Sequence, residues 1–222
     1  MGAALLVGTS ICSASTFTYD FSDRFNGASP TGTPPWLQAS FTDTGLPANT
    51  VQLTLSAVNL LPNESVSCWY FNLNPTLNPT SLSFGSPSDV GAFNSPSVQT
   101  GTDAFKAAGS GKYDVLFTFA GSGDASTVFG SGDSVTYTIT GIGLSAADFS
   151  FLSTPGGGAG PYASAAHIVS DGQSGWVDPS TVLHASAVIP DFAVPDASTT
   201  LMLLSVSVVA VAAFGWRREV GI

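Results

Sequence analysis

A strict alternation of apolar and polar residues is the sequence feature that most limits how this chain can fold. Valine or leucine occupies positions 51, 53 and 55 with Gln52 and Thr54 between them, and Val135, Tyr137 and Ile139 alternate with threonines. Because successive side chains of a β-strand point to opposite faces of a sheet, a period of two indicates strands with one buried and one exposed face. We therefore expect an antiparallel sheet that covers a core.

Further strand signals recur between clusters of glycine, proline and asparagine, the residues that favour tight turns. The predicted strands cover residues 36–42, 51–58, 65–73, 113–119, 134–140, 163–169 and 181–189. One short helix is predicted at residues 144–149, with Ser145 as its N-terminal cap. The predicted fold class is all-β: an antiparallel β-sandwich over residues 15–188, followed by a single C-terminal transmembrane helix.

The charge composition of the chain bears on which classes of molecule it can bind. Charged residues make up only 9% of the chain, and the formal net charge is −10. The few basic residues are scattered, at Arg24, Lys106, Lys112, Arg217 and Arg218. Because binding to nucleic acid requires basic residues clustered on one surface, we expect no nucleic-acid partner.

The N-terminal region has the order of a secretory signal peptide, since an apolar run at residues 3–8 precedes small and polar residues at 9–15. We predict a signal peptide over residues 1–14, with cleavage after Ala14. No basic residue precedes Arg24, so either the start codon lies further upstream, which we favour, or the segment is a buried first strand. Cys12 falls inside the predicted signal, which leaves Cys68 unpaired in the mature protein.

The C-terminal region carries an uncharged apolar run, residues 201–216. Together with residues 198–200 it forms a predicted transmembrane helix at 198–216, about 28 Å long and sufficient to cross a bilayer core. Trp216 falls at the membrane interface, and Arg217 and Arg218 follow it directly. Under the positive-inside rule these arginines stop transfer and keep the C-terminus in the cytoplasm, with the body outside. Residues 189–195 form the predicted linker.

The tail as a whole, residues 194–218, resembles the sorting domain of PEP-CTERM proteins. Val194, Pro195 and Asp196 precede the apolar span and the paired arginines in the order of that family. Asp196 stands where the common motif has glutamate, which implies a variant partner enzyme. The resemblance implies that an exosortase, a membrane-embedded cysteine transpeptidase, recognises these three residues and processes the tail. It also implies an inner-membrane precursor that reaches the cell surface or the extracellular space.

Bacteria that carry such proteins usually make exopolysaccharide, and the resemblance therefore implies a role outside the cell. We predict a secreted cell-surface or extracellular-matrix protein, structural or associated with exopolysaccharide, and not an enzyme. The leading alternative is a carbohydrate-binding module. Its sugar-stacking platform would consist of Trp36, Trp69, Tyr70, Tyr162 and Trp176. The same residues are also expected in a β-sandwich core, but residues 69–71 must divide between two faces of a strand.

A secreted hydrolase is a further alternative. The serines within residues 172–175 and 132–134 lie in glycine-rich segments that we interpret as turns rather than as nucleophile sites. The imidazoles, His167 and His184, belong to no metal-ligand spacing. We interpret His167 as a hydrogen-bonded core histidine, and we expect no catalytic residue, no metal site and no cofactor.

A calcium site is the last alternative that the residues raise. Segments 121–124 and 130–133 both read Gly-Ser-Gly-Asp, at the nine-residue period of calcium-binding repeats, but two glycine turns around a strand explain the spacing. Asp20, Asp23 and Asp43 would form a site only if the fold brought their oxygens together.

Overall fold

The computed structural model describes residues 14–121, 127–170 and 172–179, and the backbone alone of residues 184–187. The described residues contain thirteen β-strands and 3-10 turns at Pro79–Ser81 and Ala146–Phe149. The strands are β1 (Ser15–Gly27), β2 (Leu37–Thr42), β3 (Thr50–Ala57), β4 (Glu64–Phe71), β5 (Ser83–Phe84), β6 (Ser88–Val90), β7 (Ser97–Lys106), β8 (Lys112–Thr118), β9 (Phe129–Gly130), β10 (Ser134–Thr140), β11 (Ser164–Ser170), β12 (Gln173–Pro179) and β13 (His184–Ala187).

All of these strands belong to one antiparallel sheet. Its main path runs β5-β10-β3-β2-β1-β12-β11-β4-β8-β7, while β13 pairs with β1, β6 with β10 and β9 with β4. The prediction of an all-β antiparallel fold is confirmed. The predicted β-sandwich has two separate sheets. In the structure a single sheet nearly closes on itself, so that its two halves form the two layers.

β1 joins the two layers because it is long and irregular. Residues 16–21 pair with β2 on one edge, and residues 21–27 pair with β12 on the other. The pairing with β12 shifts register after Phe21 and again after Arg24. Since β-bulges bend a strand and increase its twist, β1 leaves one layer and enters the other without a break.

The core lies between the inner faces of the two layers. Phe41 of β2 meets Phe71 of β4 with ring centroids 5.3 Å apart, and Phe117 of β8 lies 5.3 Å from Tyr137 of β10. These four rings are at most 2% exposed. Burying a side chain of this size stabilises a fold by about 1.5–3 kcal/mol, so the alternating inward residues hold the layers together.

Most of the predicted strands are confirmed. β2, β3, β4, β8, β10 and β11 begin and end within two residues of the predicted bounds, and β13 lies inside the longer predicted segment 181–189. The prediction omits the long strands β1, β7 and β12 and the strands of two or three residues, β5, β6 and β9. In β7 the residues alternate between exposed and half-buried, so its sequence carries no apolar stripe.

The predicted helix at residues 144–149 is a single 3-10 turn, Ala146–Phe149. Ser145 begins it, and its backbone N–H and its hydroxyl both donate to the Asp148 carboxylate at 2.8 Å. The Phe149 ring stacks on Phe41 at 4.6 Å, so this turn closes one end of the core.

Three predicted segments fall wholly or mainly outside the described residues: the signal peptide at 1–14, the linker at 189–195 and the tail at 194–218. Among the helices of the described part of the chain, none has the length and apolar character needed to cross a membrane. The transmembrane helix at 198–216 therefore stays a prediction.

Candidate functional site

A second group of aromatic residues lies on the outer face of the sheet, apart from the core. This group, termed the outer aromatic cluster, consists of Phe25, Tyr70, Tyr113, Tyr162 and Trp176. Strand alternation explains its position in β4, because Trp69 and Phe71 belong to the core and Tyr70 between them must face outward. The prediction that residues 69–71 divide between two faces is confirmed.

The rings of the outer aromatic cluster form a continuous network. The centroid of Trp176 lies 5.8 Å from Tyr70 and 6.3 Å from Phe25. Tyr162 packs against Phe25 at 4.8 Å, and Tyr113 lies 5.5 Å from Tyr70. Tyr70 and Tyr113 are buried, whereas Phe25, Tyr162 and Trp176 are only half-buried. The buried rings support the other three, which keep part of their surface in solvent.

Pairing between strands distant in sequence brings these rings together. β11 lies between β4 and β12, with Ala165 opposite Tyr70 and His167 opposite Trp176. Ala165 packs in the same cluster as Tyr70 and Trp176. Phe25 comes from the irregular part of β1, and Tyr162 precedes β11.

The predicted sugar-stacking platform is assembled only in part. Tyr70, Tyr162 and Trp176 meet in the outer aromatic cluster, but Trp36 and Trp69 lie in the core, 6% and 0% exposed. The indole N–H of Trp36 donates to the Gly32 carbonyl at 2.7 Å. Among the described residues, Trp69 Nε1 is the buried side-chain nitrogen that has no hydrogen-bond partner.

Two carboxyl groups border the outer aromatic cluster. Asp178 follows Trp176 by two residues in β12 and so shares its face, and it is paired in register with Asp23 of β1. Burial and, secondarily, the neighbouring Asp23 carboxylate raise the pKa of Asp178 to about 7. Burial and then the same two carboxylates raise the pKa of the Tyr162 hydroxyl. Both carboxyl groups therefore lie near enough to the Tyr162 hydroxyl to affect its pKa.

His167 lies beside the cluster and forms a short hydrogen bond with a serine. A register shift leaves Ser67 as the extra residue of β4, and its Oγ is 2.6 Å from His167 Nδ1. The His167 ring also packs on Trp176 at 4.6 Å. Burial lowers the pKa of His167, which favours the neutral imidazole. The prediction of a hydrogen-bonded histidine is confirmed, although it lies half-buried on the outer face and not in the core.

The Ser67–His167 pair resembles two members of a hydrolytic triad, but the third is missing from the described contacts. In the described residues the hydrogen bonds of the His167 side chain go to Ser67 alone, and burial is the cause of its pKa shift, with no carboxylate contributing. A triad needs that carboxylate to orient the imidazole and stabilise its protonated form. The pair is better explained as a hydrogen bond that satisfies two half-buried polar groups.

The acidic residues proposed for calcium do not converge. Asp43 accepts hydrogen bonds from the backbone N–H groups of Ser15, at 2.5 Å, and Ala146, at 2.9 Å, so it ties β1 to the 3-10 turn. Asp20 accepts from Gln38 Nε2 at 2.8 Å. The described part of the chain holds no group of three or more His, Cys, Asp or Glu residues placed to bind a metal ion.

The glycine segments are explained by turns where the structure describes them. The backbone N–H of Gly130 donates to the Asp133 carboxylate at 2.8 Å, and the N–H of Asp133 donates to the Gly130 carbonyl at 3.0 Å. This confirms a turn at residues 130–133, whereas most of segment 121–124 lies outside the described residues. Ser174 belongs to β12 and Ser134 begins β10, so neither serine lies in a turn, which corrects the interpretation of residues 172–175 and 132–134 at these positions.

The clefts of the described surface are either small or wide open, and one of about 320 Å³ is an open depression beside Asn49, Ser83 and Ile142. One of about 110 Å³ is lined by Asn72, Asp103 and Asp114, and another of about 180 Å³ by Asp43, Leu46 and Leu144. Pockets that enclose a small molecule usually measure about 300–1,000 Å³. Asp114 is already occupied, because its carboxylate accepts from the backbone N–H groups of Leu73 and Asp103. The open outer aromatic cluster is the stronger candidate for a binding site.

The predicted sorting residues Val194, Pro195, Asp196, Trp216, Arg217 and Arg218 lie outside the described residues, as does the side chain of His184. Comparison of the chain with protein-family models, with curated proteins and with solved structures finds no match. The resemblance of the tail to PEP-CTERM proteins therefore stays a prediction from its motif.

Sequence reasoning missed three members of the site: Phe25, Tyr113 and Asp178. Asp178 had a usable signal, because Trp176, Val177 and Asp178 alternate outward, inward and outward in β12. Phe25 had none, since the register shifts of β1 decide which face its ring reaches.

Proposed function

We infer that the chain is an exported bacterial protein of the cell surface or extracellular matrix, sorted by an exosortase and not catalytic. The observation that carries this proposal is the ordered pattern of the tail: Val-Pro-Asp at 194–196, the uncharged run at 198–216, and Arg217-Arg218 directly after it. Each part has its own physical role in recognition, anchoring and orientation. Their order is therefore more specific than any one part.

The apolar run would hold the precursor in the inner membrane during export. A helix of this length matches the bilayer core and satisfies its own backbone hydrogen bonds there. Moving Arg217 or Arg218 to the bilayer centre would cost about 2.5–3.5 kcal/mol each. The arginines thus resist translocation, and residues 194–196 stay on the outer side within reach of a membrane-embedded transpeptidase.

The body supports a structural or ligand-binding role. The Ser67–His167 pair has no orienting carboxylate among its described contacts, and the aromatic residues that remain half-buried form an open face rather than an enclosed site. The net charge of −10 favours solubility and repels anionic lipid headgroups, so the body would stay off the membrane surface after processing.

A matched pair of variants tests the sorting signal. The linker contains a second Pro-Asp pair, Pro190-Asp191, five residues before Pro195-Asp196. Replacing Pro195 and Asp196 with alanine in the native bacterium should leave an unprocessed precursor in the membrane fraction. The same change at Pro190 and Asp191 should leave processing intact, because only the downstream pair adjoins the apolar run.

Mass spectrometry of the mature protein reads the result directly. The wild-type protein should end upstream of the apolar run and begin near residue 15. Recovery of wild-type protein that retains Ile222 and shows no membrane association would contradict the proposal. Equal processing of both double variants would show that Val-Pro-Asp is not the signal.

A further inference from the structure

We propose that the outer aromatic cluster, together with the carboxyl edge of Asp23 and Asp178, binds a neutral saccharide unit of a polysaccharide. This inference assigns a ligand to the folded body and goes beyond the sorting of the chain. It depends only on described residues of the body, so it stands or falls independently of the tail.

The rings supply the surface that a sugar requires. One face of a pyranose ring carries C–H groups and packs against aromatic rings, which combine a large apolar area with a fixed orientation. Trp176, Tyr162 and Phe25 keep part of their surface in solvent while ring contacts of 4.8–6.3 Å hold them in place. Because these rings are already fixed, binding would lose little side-chain entropy.

Polar groups beside the rings can form hydrogen bonds with a sugar. Asp178 as a whole residue is 7% exposed, and the hydrogen bond that lowers its pKa comes from its own backbone N–H. The indole N–H of Trp176 and the hydroxyl of Tyr162 belong to side chains that keep part of their surface in solvent. Carboxylate oxygens accept from sugar hydroxyls, and the indole donates to them. The face therefore offers both parts of sugar recognition.

The charges select a neutral sugar over an acidic one. Asp23 lies opposite Asp178 at the edge of the cluster, and the formal net charge of the chain is −10. A uronate or sulfated sugar would be repelled by Asp23, and by Asp178 once it is ionised, whereas uncharged hydroxyls would not be. A neutral glucan therefore fits the surface better than an anionic polymer does.

Affinity electrophoresis of the full-length chain tests the proposal. The protein would be solubilised in a detergent without a sugar headgroup, which would otherwise compete, and run in gels containing hydroxyethylcellulose, dextran or alginate. We expect at least one of the two neutral glucans to retard the wild-type chain, and alginate, a polymer of uronates, not to retard it. Trp176→Ala should weaken the retarding interaction at least tenfold, while Trp176→Phe should keep most of it.

Phe93→Ala is the matched control, because Phe93 is also a half-buried ring packed on another ring, Phe129 at 4.9 Å, but it lies outside the cluster. It should bind as the wild type does. Circular dichroism would establish that the two alanine variants retain the β-fold.

Several results would overturn the proposal. The proposal fails if neither neutral glucan retards the wild type, or if alginate alone does. It also fails if a neutral glucan retards the wild type and a folded Trp176→Ala variant equally, or if Phe93→Ala loses as much binding as Trp176→Ala does. Sedimentation that shows a wild-type dimer abolished by Trp176→Ala would assign the face to a second copy of the chain instead. A failure of tail processing would leave all of these measurements unaffected.

Discussion

The inner and outer faces of the sheet use the same aromatic side chains in different surroundings. On the inner face, Phe41, Phe71 and Phe117 contact other rings and are fully buried. On the outer face, Tyr162 and Trp176 contact rings but keep part of their surface in solvent, near carboxyl groups. The comparison shows that aromatic content does not distinguish a core from a binding face. What distinguishes them is whether a second layer covers the rings.

Two buried acids also differ in their surroundings, although both are nearly inaccessible to solvent. Glu64 is 1% exposed, and its carboxylate accepts from the Thr31 N–H at 2.6 Å, the Thr31 hydroxyl at 2.7 Å and the Leu61 N–H at 2.8 Å. Asp178 is nearly as buried but has Asp23 as its charged neighbour. The Glu64 carboxylate thus fixes a loop through three hydrogen bonds, whereas Asp178 lies beside a group of the same charge and is the acid that the proposed saccharide would contact.

The largest effect should come from the inner face. Phe41→Ala removes a ring that contacts rings of β1, β4 and the 3-10 turn, so we expect the free energy of unfolding to fall by about 3–5 kcal/mol. Trp176→Ala should cost only about 1 kcal/mol, because its ring is half-buried. Urea unfolding followed by circular dichroism measures both. Equal costs would remove the distinction between the two faces.

Glu64→Gln should destabilise the protein by about 1–3 kcal/mol. The NH₂ group of glutamine is a donor, and it would replace a carboxylate oxygen that now accepts from a backbone N–H or a hydroxyl, so two donors would face each other. The measurement is again urea unfolding near pH 7. A neutral effect would mean that the three hydrogen bonds of Glu64 contribute little, and that the contrast between the two buried acids is weaker than their contacts indicate.

Asp178→Asn should raise the free energy of unfolding at neutral and alkaline pH, whereas Glu64→Gln should lower it. The pKa of Asp178 is raised from 3.8 to about 7 in the folded protein, so the folded state holds the proton more tightly than the unfolded state. Its contribution to stability is present below about pH 4 and is lost as the pH rises towards 7. After allowance for solvent screening, the variant should be more stable than wild type by about 1–2 kcal/mol at pH 8 and equal to it near pH 4.

Unfolding measured across this pH range tests the prediction. Asp23→Asn is the companion variant, since removing the like charge should lower the pKa of Asp178 towards its ordinary value. A stability difference between Asp178→Asn and wild type that does not change with pH would contradict the assignment.

The sequence predicted most of the strands whose two faces differ, and it missed β7, whose faces do not. β3 and β10 were predicted because Val, Leu, Tyr and Ile alternate with Thr and Gln. β7 was not, because it has no apolar stripe and Asp103 adopts a φ of 49° where the pairing with β8 is interrupted. β1 did carry a signal, since Phe17, Tyr19 and Phe21 alternate inward.

The candidate site was less predictable than the sheet because it depends on register. Tyr70 and Trp176 are more than a hundred positions apart in sequence and meet only because β11 pairs with both of their strands. Ser67 reaches His167 only through a register shift within β4. Local patterns specify which residues share a face of one strand, but they carry no information on which strands become neighbours.

The smallest effect should come from Cys68, a half-buried free thiol that packs against the outer aromatic cluster. Cys68→Ala should cost less than about 1 kcal/mol, as expected for the loss of a few packing contacts.

Burial raises the pKa of Cys68, and the thiolate is the reactive form, so iodoacetamide should modify the folded protein more slowly than the urea-unfolded control near neutral pH. Mass spectrometry of the time course measures this, and rapid labelling of the folded chain or a native disulfide would contradict it. The same experiment sharpens the comparison of the two faces, because a neutral glucan bound over Trp176 should slow the labelling further, whereas alginate should leave the rate unchanged.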